Sequence, residues 1–253
     1  MTLASAAMPM TFVQLSDHVY LVGGKVLSHP LDCNVYLIDG RPQECVLVDS
    51  GTGLGVDMIL QNVKEAGFDL GQVSAVVNTH CHYRHAGGNF QLNKHLGYAE
   101  VIIHELDATA VETGNSDLTG ANRYGEKFEP CQVDVRVCTS DMEAMKTLGF
   151  GDSLWISAGD FELATIHAPG HTPGSMCLYG KIDGRQMLFA DDVGGQLRKE
   201  WGSNGENQRS SILNLLELEI DRIFAGHEAV TEKPRRWFEN LLSRERNSAA
   251  EAR

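Results

Sequence analysis

Four apolar, strand-like runs in this chain each end in a short turn that presents a histidine, an aspartate or both. Val73–Val77 leads into Asn78-Thr-His-Cys-His-Tyr-Arg-His-Ala-Gly-Gly88, and Phe161–Ile166 leads to Ala168-Pro-Gly-His-Thr-Pro-Gly-Ser175. Leu188-Phe-Ala ends at Asp191 and Asp192, and Ile223-Phe-Ala ends at Gly226 and His227. Strand ends on one edge of a sheet converge, which is where α/β folds gather their functional loops. Taken singly, each turn reads as a Pro/Gly turn, a loop acid or a surface histidine. Taken together they imply one site built from imidazoles and carboxylates.

Alternation sharpens the first turn. In extended backbone, His80 and His82 point to one side while Cys81 points to the other. His85 joins them only if the chain turns, and Gly87 and Gly88 supply that freedom. His171 stands in a rigid Pro/Gly turn. Neutral imidazoles at such spacings suit zinc or iron.

The rest of the chain reads as scaffold. Strands are expected at Phe12–Leu15, Val19–Val22, Cys33–Asp39, Cys45–Asp49, Val101–Ile103, Met176–Tyr179, Gln186–Ala190 and Ile220–Phe224. Val56, Ile59, Leu60 and Val63 recur at helical spacing, with Gly67 as the stop. Further helices are expected from Asn89, over Glu105–Val111, around Ile212–Leu216 and from Pro234. The polar stretch Gly114–Pro130 reads as a long loop over the site. No repeat or linker divides the sequence, so residues 1–253 are expected to form a single domain, with 1–10 flexible and 247–253 frayed.

The order His-x-His-x-x-His, Pro-Gly-His-Thr-Pro-Gly, a strand-ending Asp and then Gly-His resembles the metallo-β-lactamase superfamily. The resemblance spans about Val19 to His227. It implies an α/β fold, an αββα sandwich of two mixed β-sheets with helices on both outer faces and metals in the cleft at one edge. It further implies that His80, His82 and His171 hold a first metal, that His85 and His227 hold a second, and that Asp192 bridges them. Asp191 stands where the family places a glycine and is the alternative bridging ligand. Asp49, ahead of Ser50-Gly-Thr-Gly53, is similar to the family acid that fixes an imidazole from behind. Its alternative is a plain turn aspartate.

The chain departs from the family pattern at Arg84, which replaces a metal-binding aspartate. A guanidinium keeps its charge at any accessible pH, so the exchange weakens the second metal position. Arg84 either turns away, or occupies that position itself, or marks an impaired metal-binding protein. It could also grip an anionic substrate group as a planar fork. The expected cofactor is zinc, one or two ions, with iron as the alternative.

The family chemistry implies hydrolysis of an ester, thioester, lactone or amide by metal-bound hydroxide. Asp192, Arg84 and Asp49 are the residues expected to serve it besides the ligands. The runner-up is a mononuclear iron oxidoreductase resembling persulfide dioxygenases, whose iron ligands match His80, His171 and Asp192. Only 26 residues follow His227, too few for the appended helical region of glyoxalase II.

A net charge of −13 repels phosphate backbones and anionic lipids, so neither nucleic acid nor membrane is an expected partner. The expected partner is a small-molecule substrate, anionic if Arg84 reads it, and a homo-oligomer is compatible with the sequence. The N-terminus lacks the basic-then-apolar pattern of an export signal, so a cytoplasmic location is expected and the six cysteines are expected as free thiols.

Overall fold

A computed structural model describes residues 11–42, 44–97, 99–138 and 154–251 of the chain. Its first sheet has seven strands in sequential order: β1 (Val13–Gln14), β2 (Val19–Gly23), β3 (Val35–Gly40), β4 (Glu44–Val48), β5 (Val73–Val77), β6 (Glu100–His104) and β7 (Val135–Val137). Pairing is antiparallel from β1 to β4 and parallel from β4 to β7. The second sheet runs in reverse order, from β12 (Arg222–Ala225) through β11 (Arg185–Asp191), β10 (Met176–Ile182) and β9 (Phe161–His167) to β8 (Trp155–Ala158). Only its β11–β12 pair is parallel.

Alternation along the strands explains why two sheets stack between helices. On β3, Tyr36 and Ile38 face the second sheet, where they meet Leu178, Phe189 and Phe224 in one buried cluster. Val35 and Leu37, one residue out of phase, face outward onto Ile59, Leu60 and Val63 of α1 (Val56–Glu65) and Leu92 and Leu96 of α3 (Asn89–Leu96). The second sheet mirrors this arrangement. Met187 and Phe189 point inward, whereas Leu188 and Ala190 pack on α5 (Gly205–Leu216) and α6 (Pro234–Glu251). Each fully buried side chain of this size contributes about 2 kcal/mol of transfer free energy. A one-residue slip in register would expose the whole inner set. The architecture is the αββα sandwich expected from the sequence.

Most expected elements are present, and the differences are local. Strands β7 and β8 had no sequence assignment, because β7 is three residues long and β8 alternates exposed and buried positions. Tyr83–Ala86 forms one helical turn, α2, where only a bend was expected. Strand β12 starts at Arg222 rather than Ile220, because the Asp221 carboxylate takes the Gln186 N–H that a ladder carbonyl would otherwise accept. The chain at 114–130 carries a short helical turn at Ala121–Tyr124, closed by Gly125 at φ 72°. Helix α6 continues to Glu251, through most of the segment expected to fray, whereas 1–10 and 252–253 lie outside the described residues. The cysteines are free, and none of the described helices is long and apolar enough to cross a membrane.

Helix α4 (Glu105–Glu112) shows how a histidine outside the site is used. His104 is buried, stacks on His167 with ring centroids 4.1 Å apart, and its Nδ1 accepts the Leu106 N–H at the helix start. Burial pushes its pKa down to about 4 from an ordinary 6.5, and the neighbouring His167 adds to the effect. The folded state therefore binds fewer protons than the unfolded chain between those values. This stability is complete above about pH 6.5 and is lost as pH falls towards 4, by up to about 3 kcal/mol. His104→Asn keeps a capping acceptor but removes the titration. It should flatten the decline in urea midpoint between pH 6.5 and 4, and an unchanged slope would place the acid sensitivity elsewhere.

Candidate metal centre

The carboxyl ends of β4, β5, β9, β11 and β12 reach the same edge of the sandwich, because β4 and β5 run parallel in one sheet and β9, β11 and β12 share a direction in the other. The sheets are tied together there. Met176 N–H donates to the Thr79 carbonyl at 2.9 Å, and Asn34 N–H donates to the Gly226 carbonyl at 2.7 Å. Asn34 Nδ2 and the Tyr36 hydroxyl both donate to the Ala225 carbonyl, at 3.0 and 2.8 Å, which fixes the end of β12 just before His227.

All six expected donor residues meet at this edge. His82 Nδ1 lies 2.9 Å from His80 Nε2 and 2.9 Å from His171 Nε2. His85 Nε2 lies 3.1 Å from His227 Nε2. Asp192 Oδ2 stands between the two groups, 3.4 Å from both His85 Nε2 and His227 Nε2 and 3.8 Å from His171 Nε2. Asp192 is thus the carboxylate that reaches the histidines, and the side chain of Asp191 lies outside the described residues.

The tautomers follow from what each ring does on its far side. His171 Nδ1–H donates to the Gln196 carbonyl at 2.9 Å, so its Nε2 presents a lone pair inward. His85 Nδ1–H donates to Asp49 Oδ2 at 2.8 Å, which turns its Nε2 inward. Asp49 is itself held by the Thr79 N–H and hydroxyl, each at 2.9 Å. Asp49 therefore orients an imidazole from behind, in the position anticipated for it.

The donor set fits a metal ion. Ring nitrogens this close need positive charge between them, supplied by a shared proton or a cation. Burial pushes the His80 pKa down to about 3, with His85 adding to it, and burial together with His80 and His171 holds His82 well below its ordinary value. A proton is therefore poorly held at neutral pH, while the free lone pairs are open to a metal. His85 differs: burial disfavours its cation, but the Asp49 and Asp192 carboxylates favour it and raise its pKa, so its Nε2 holds a proton towards Asp192 that a metal would displace. Burial also opposes ionisation of Asp192, yet His85 and His227 keep its carboxyl well below the usual range. Nitrogen-rich donors with one carboxylate suit zinc or iron rather than magnesium or calcium.

Arg84 follows His82 on α2, but its Nε donates to the Leu31 carbonyl at 2.6 Å. Its own carbonyl accepts the Cys33 N–H at 3.2 Å, so both ends of the residue are pinned to the 31–33 loop. Among the described residues, the ion pairs of Asp192 are with His85, His171 and His227. Arg84 still lines the cavity of about 300 Å³ that opens over the histidines.

Several participants escaped the sequence reading. Trp201 packs its ring over His82 and beside His171, with centroids 4.2 and 5.7 Å apart. His82 Nε2 is buried without a hydrogen-bond partner among the described residues, so ring packing rather than a hydrogen bond sets its orientation. Cys33 lies behind Asp49 and His85, its thiol pushed up to about 12 by burial, and stays protonated. Asp107 on α4 accepts the Cys81 N–H at 2.9 Å, the Thr172 hydroxyl at 2.8 Å and the Gly174 N–H at 2.8 Å. It staples the His80–His82 turn to the His171 turn. The T-P-G following His171 was a visible signal for this partner, since its hydroxyl and N–H groups need an acceptor. Gly226 is required sterically: a Cβ there would stand 2.7 Å from His85 Cε1 and 3.0 Å from Asp192 Oδ1. Cys81 points away as alternation predicts, into the cluster with Val101 and Ile103.

Comparison with known proteins adds three findings. The family model described as the metallo-β-lactamase superfamily matches residues 29–150, which include Asp49, His80, His82, Arg84 and His85. The human protein named acyl-coenzyme A thioesterase MBLAC2 is 29% identical over 189 residues, covering 71% of this chain and 64% of its own length, and the bovine protein of that name is 25% identical over 198 residues with the same coverage. The chain thus spans just under two thirds of these relatives. The Haemophilus influenzae hydroxyacylglutathione hydrolase GloC is 28% identical over 205 residues, covering 78% of this chain and 86% of that protein. Solved structures share the fold. A metallo-β-lactamase from Cronobacter sakazakii superposes with a TM-score of 0.79 at 21% identity, covering 96% of this chain and 98% of that one. A subclass B3 metallo-β-lactamase of Bradyrhizobium japonicum gives 0.75 at 22%, covering 96% and 95%.

Two substitutions test this geometry. Asp107→Asn loses an acceptor for three donors and should weaken zinc binding by about tenfold or more, as supporting groups around metal ligands commonly do. Competition against a chromophoric chelator measures it, and wild-type affinity would remove Asp107 from the site. Arg84→Asp places a carboxylate beside His85 and His227 and should raise the zinc content per chain at saturation. An unchanged ratio by elemental analysis would mean that Arg84 does not control the second position.

Proposed function

We propose that this chain, which matches the family model described as the metallo-β-lactamase superfamily over residues 29–150 and shares the fold of solved metallo-β-lactamases, is a zinc-dependent hydrolase whose substrates are thioesters. The observation that carries the reading is the convergence of five imidazoles and one carboxylate at a single cavity, with the N–H groups of His85 and His171 tied outward. Thioesters are favoured over other acyl compounds because the similar proteins named for their reactions, the acyl-coenzyme A thioesterase and the hydroxyacylglutathione hydrolase, act on that bond.

His80, His82 and His171 would hold the first ion, and His85, His227 and Asp192 a second where one binds. A divalent ion held there supplies Lewis acidity, which brings the pKa of water to about 7 and polarises an acyl carbonyl. The chain's residues do the remainder. Asp192 is ionised at neutral pH and carries Oδ2 among three imidazoles, so it is placed to accept a proton from the attacking water. Asp49 and the Gln196 carbonyl keep their rings from rotating. Trp201 shields His82 from bulk water and offers an apolar wall to an acyl chain.

The reading is tested by measuring metal content and turnover together. Protein purified without added metal should carry zinc and hydrolyse simple acyl thioesters. His171→Ala should lose bound zinc and reduce kcat/KM by about 1000-fold or more, roughly 4 kcal/mol of transition-state stabilisation. Retained zinc stoichiometry and turnover in this variant would refute the assignment. One iron per chain, with oxygen uptake on a persulfide and no thioester cleavage, would replace the hydrolase with the oxidoreductase.

A further inference from the structure

The cavity over the histidines is lined by a cation, Arg84, that forms no ion pair among the described residues. Arg84 is half-buried, lines the cavity with His82, His85 and Asp192, and has no carboxylate partner among the described residues. The other arginines near this cavity are accompanied. Arg244 meets Glu228 at 3.1 Å, and Arg123 and Arg198, which flank Trp201, meet Glu200 at 4.0 and 3.3 Å. The acid closest in sequence to the Arg84 anchor, Asp32, directs its carboxylate to other partners. Its Oδ1 accepts the Thr52 N–H at 2.8 Å and the Thr52 hydroxyl at 2.6 Å, and its Oδ2 accepts the Ser28 hydroxyl at 2.5 Å.

The guanidinium is nonetheless fixed. The Nε bond to the Leu31 carbonyl sets its plane and leaves Nη1 and Nη2 as a two-pronged donor edge, the geometry that grips a carboxylate or phosphate with two parallel bonds. Neither nitrogen makes a hydrogen bond or ion pair among the described residues and Arg84 is only half-buried, so that edge is open to a ligand. A fixed, unanswered cation beside a metal position repels the ion and weakens the site it borders. An anion bound between them removes that penalty.

We infer that Arg84 is a specificity residue that recognises an oxyanion, a carboxylate or a phosphate, carried by the substrate within a few bonds of the scissile thioester. The inference rests on the hydrolase reading for its reaction but not for its binding site. Because Arg84 lines the same cavity as His82, His85 and Asp192, the group it grips shares that cavity with the reacting carbonyl rather than sitting at a distant handle. An acyl-side carboxylate and a leaving-side phosphate both meet that description.

Three thioesters separate them: the S-pentanoyl ester of 2-mercaptoethanol as the neutral reference, its S-glutaryl analogue with an acyl-side carboxylate, and S-pentanoyl 2-mercaptoethyl phosphate, with a leaving-side phosphate close to the sulfur. The wild-type protein should prefer one anionic member over the neutral one by about tenfold or more in kcat/KM, the scale of a charge-assisted bidentate contact. Arg84→Gln should collapse that ratio to near unity, and Arg84→Lys, which keeps charge but loses the fork, should fall between. Calorimetry of glutarate and of inorganic phosphate on the zinc-loaded proteins gives a second readout, with binding expected to weaken by a similar factor in Arg84→Gln. A ratio that is flat in the wild type, or equal in wild type and variants, overturns the inference. If no thioester is cleaved, the hydrolase reading fails and calorimetry alone decides. Glutarate and phosphate affinities that survive Arg84→Gln then overturn the inference, and their loss upholds it.

Discussion

A neutral imidazole has one N–H and one lone pair, and the candidate site depends on which way each ring is turned. Two of the turns are enforced by acceptors that face away from the cavity: the Gln196 carbonyl for His171 and the Asp49 carboxylate for His85. Once those N–H groups are committed outward, the inward nitrogens are left to a metal, with His171 Nε2 offering a lone pair and His85 Nε2 giving up the proton it shares with Asp192. His82 is held differently, by its ring contact with Trp201, since its outer nitrogen has no partner among the described residues. The sandwich exists, from this viewpoint, to bring the acceptors and the rings from opposite sheets into one register. Met176 to Thr79 and Asn34 to Gly226 are the bonds that hold the register at the relevant edge.

Collecting so many lone pairs in a buried space is costly unless a cation joins them. Burial drives His80 and His82 away from protonation, so acid is no substitute at neutral pH. The same burial favours a divalent ion, because a metal does not compete for protons with rings that have already lost them. Asp192 contributes the negative charge that offsets the ion, and its place between the His171 side and the His85–His227 side makes the two donor groups one electrostatic unit. Support from beyond the rings is equally continuous. Asp107 ties two of the donor turns to each other through backbone and hydroxyl groups, without touching an imidazole.

Much of this was legible in the sequence, for a physical reason. Strand runs that end in His or Asp are local patterns, and the convergence of strand ends follows from sheet geometry, so His80, His82, His85, His171, Asp192 and His227 could all be named before any coordinates. The fold was legible because β3 and β11 alternate cleanly between two apolar faces. What stayed hidden depends on contacts between residues far apart in the chain. Asp107 sits in a helix start where an acid needs no further explanation, yet its partners lie 26 to 67 residues away. Trp201 occupies a stretch with no periodic pattern and acquires its role only when folded against His82. Strand β8 alternates exposed and buried residues over four positions, too short a run for its period to show. Arg84 was visible as a departure from the expected motif. Its direction was not, because that is set by a single carbonyl, Leu31, more than 50 residues earlier.

The surface and the cavity make opposite electrostatic statements, and distance reconciles them. A net charge of −13 opposes the approach of any anion, but at physiological salt that field is screened beyond about 8 Å from the surface. Inside the cavity the balance is local. Among the described residues Arg84 forms no ion pair: Asp32 turns its carboxylate to Thr52 and Ser28, Glu228 is paired with Arg244 and bonded by Trp237, and Asp192 is engaged by three imidazoles. A polyanion as large as a nucleic acid meets the repulsive surface along its whole length. A small molecule with one carboxylate or phosphate meets it only briefly and then enters a space where Arg84 and the metal position favour it. On the proposed reading, the acidic exterior and Arg84 therefore act in the same direction, selecting small anionic acyl compounds by admitting charge only where a planar fork is ready to receive it.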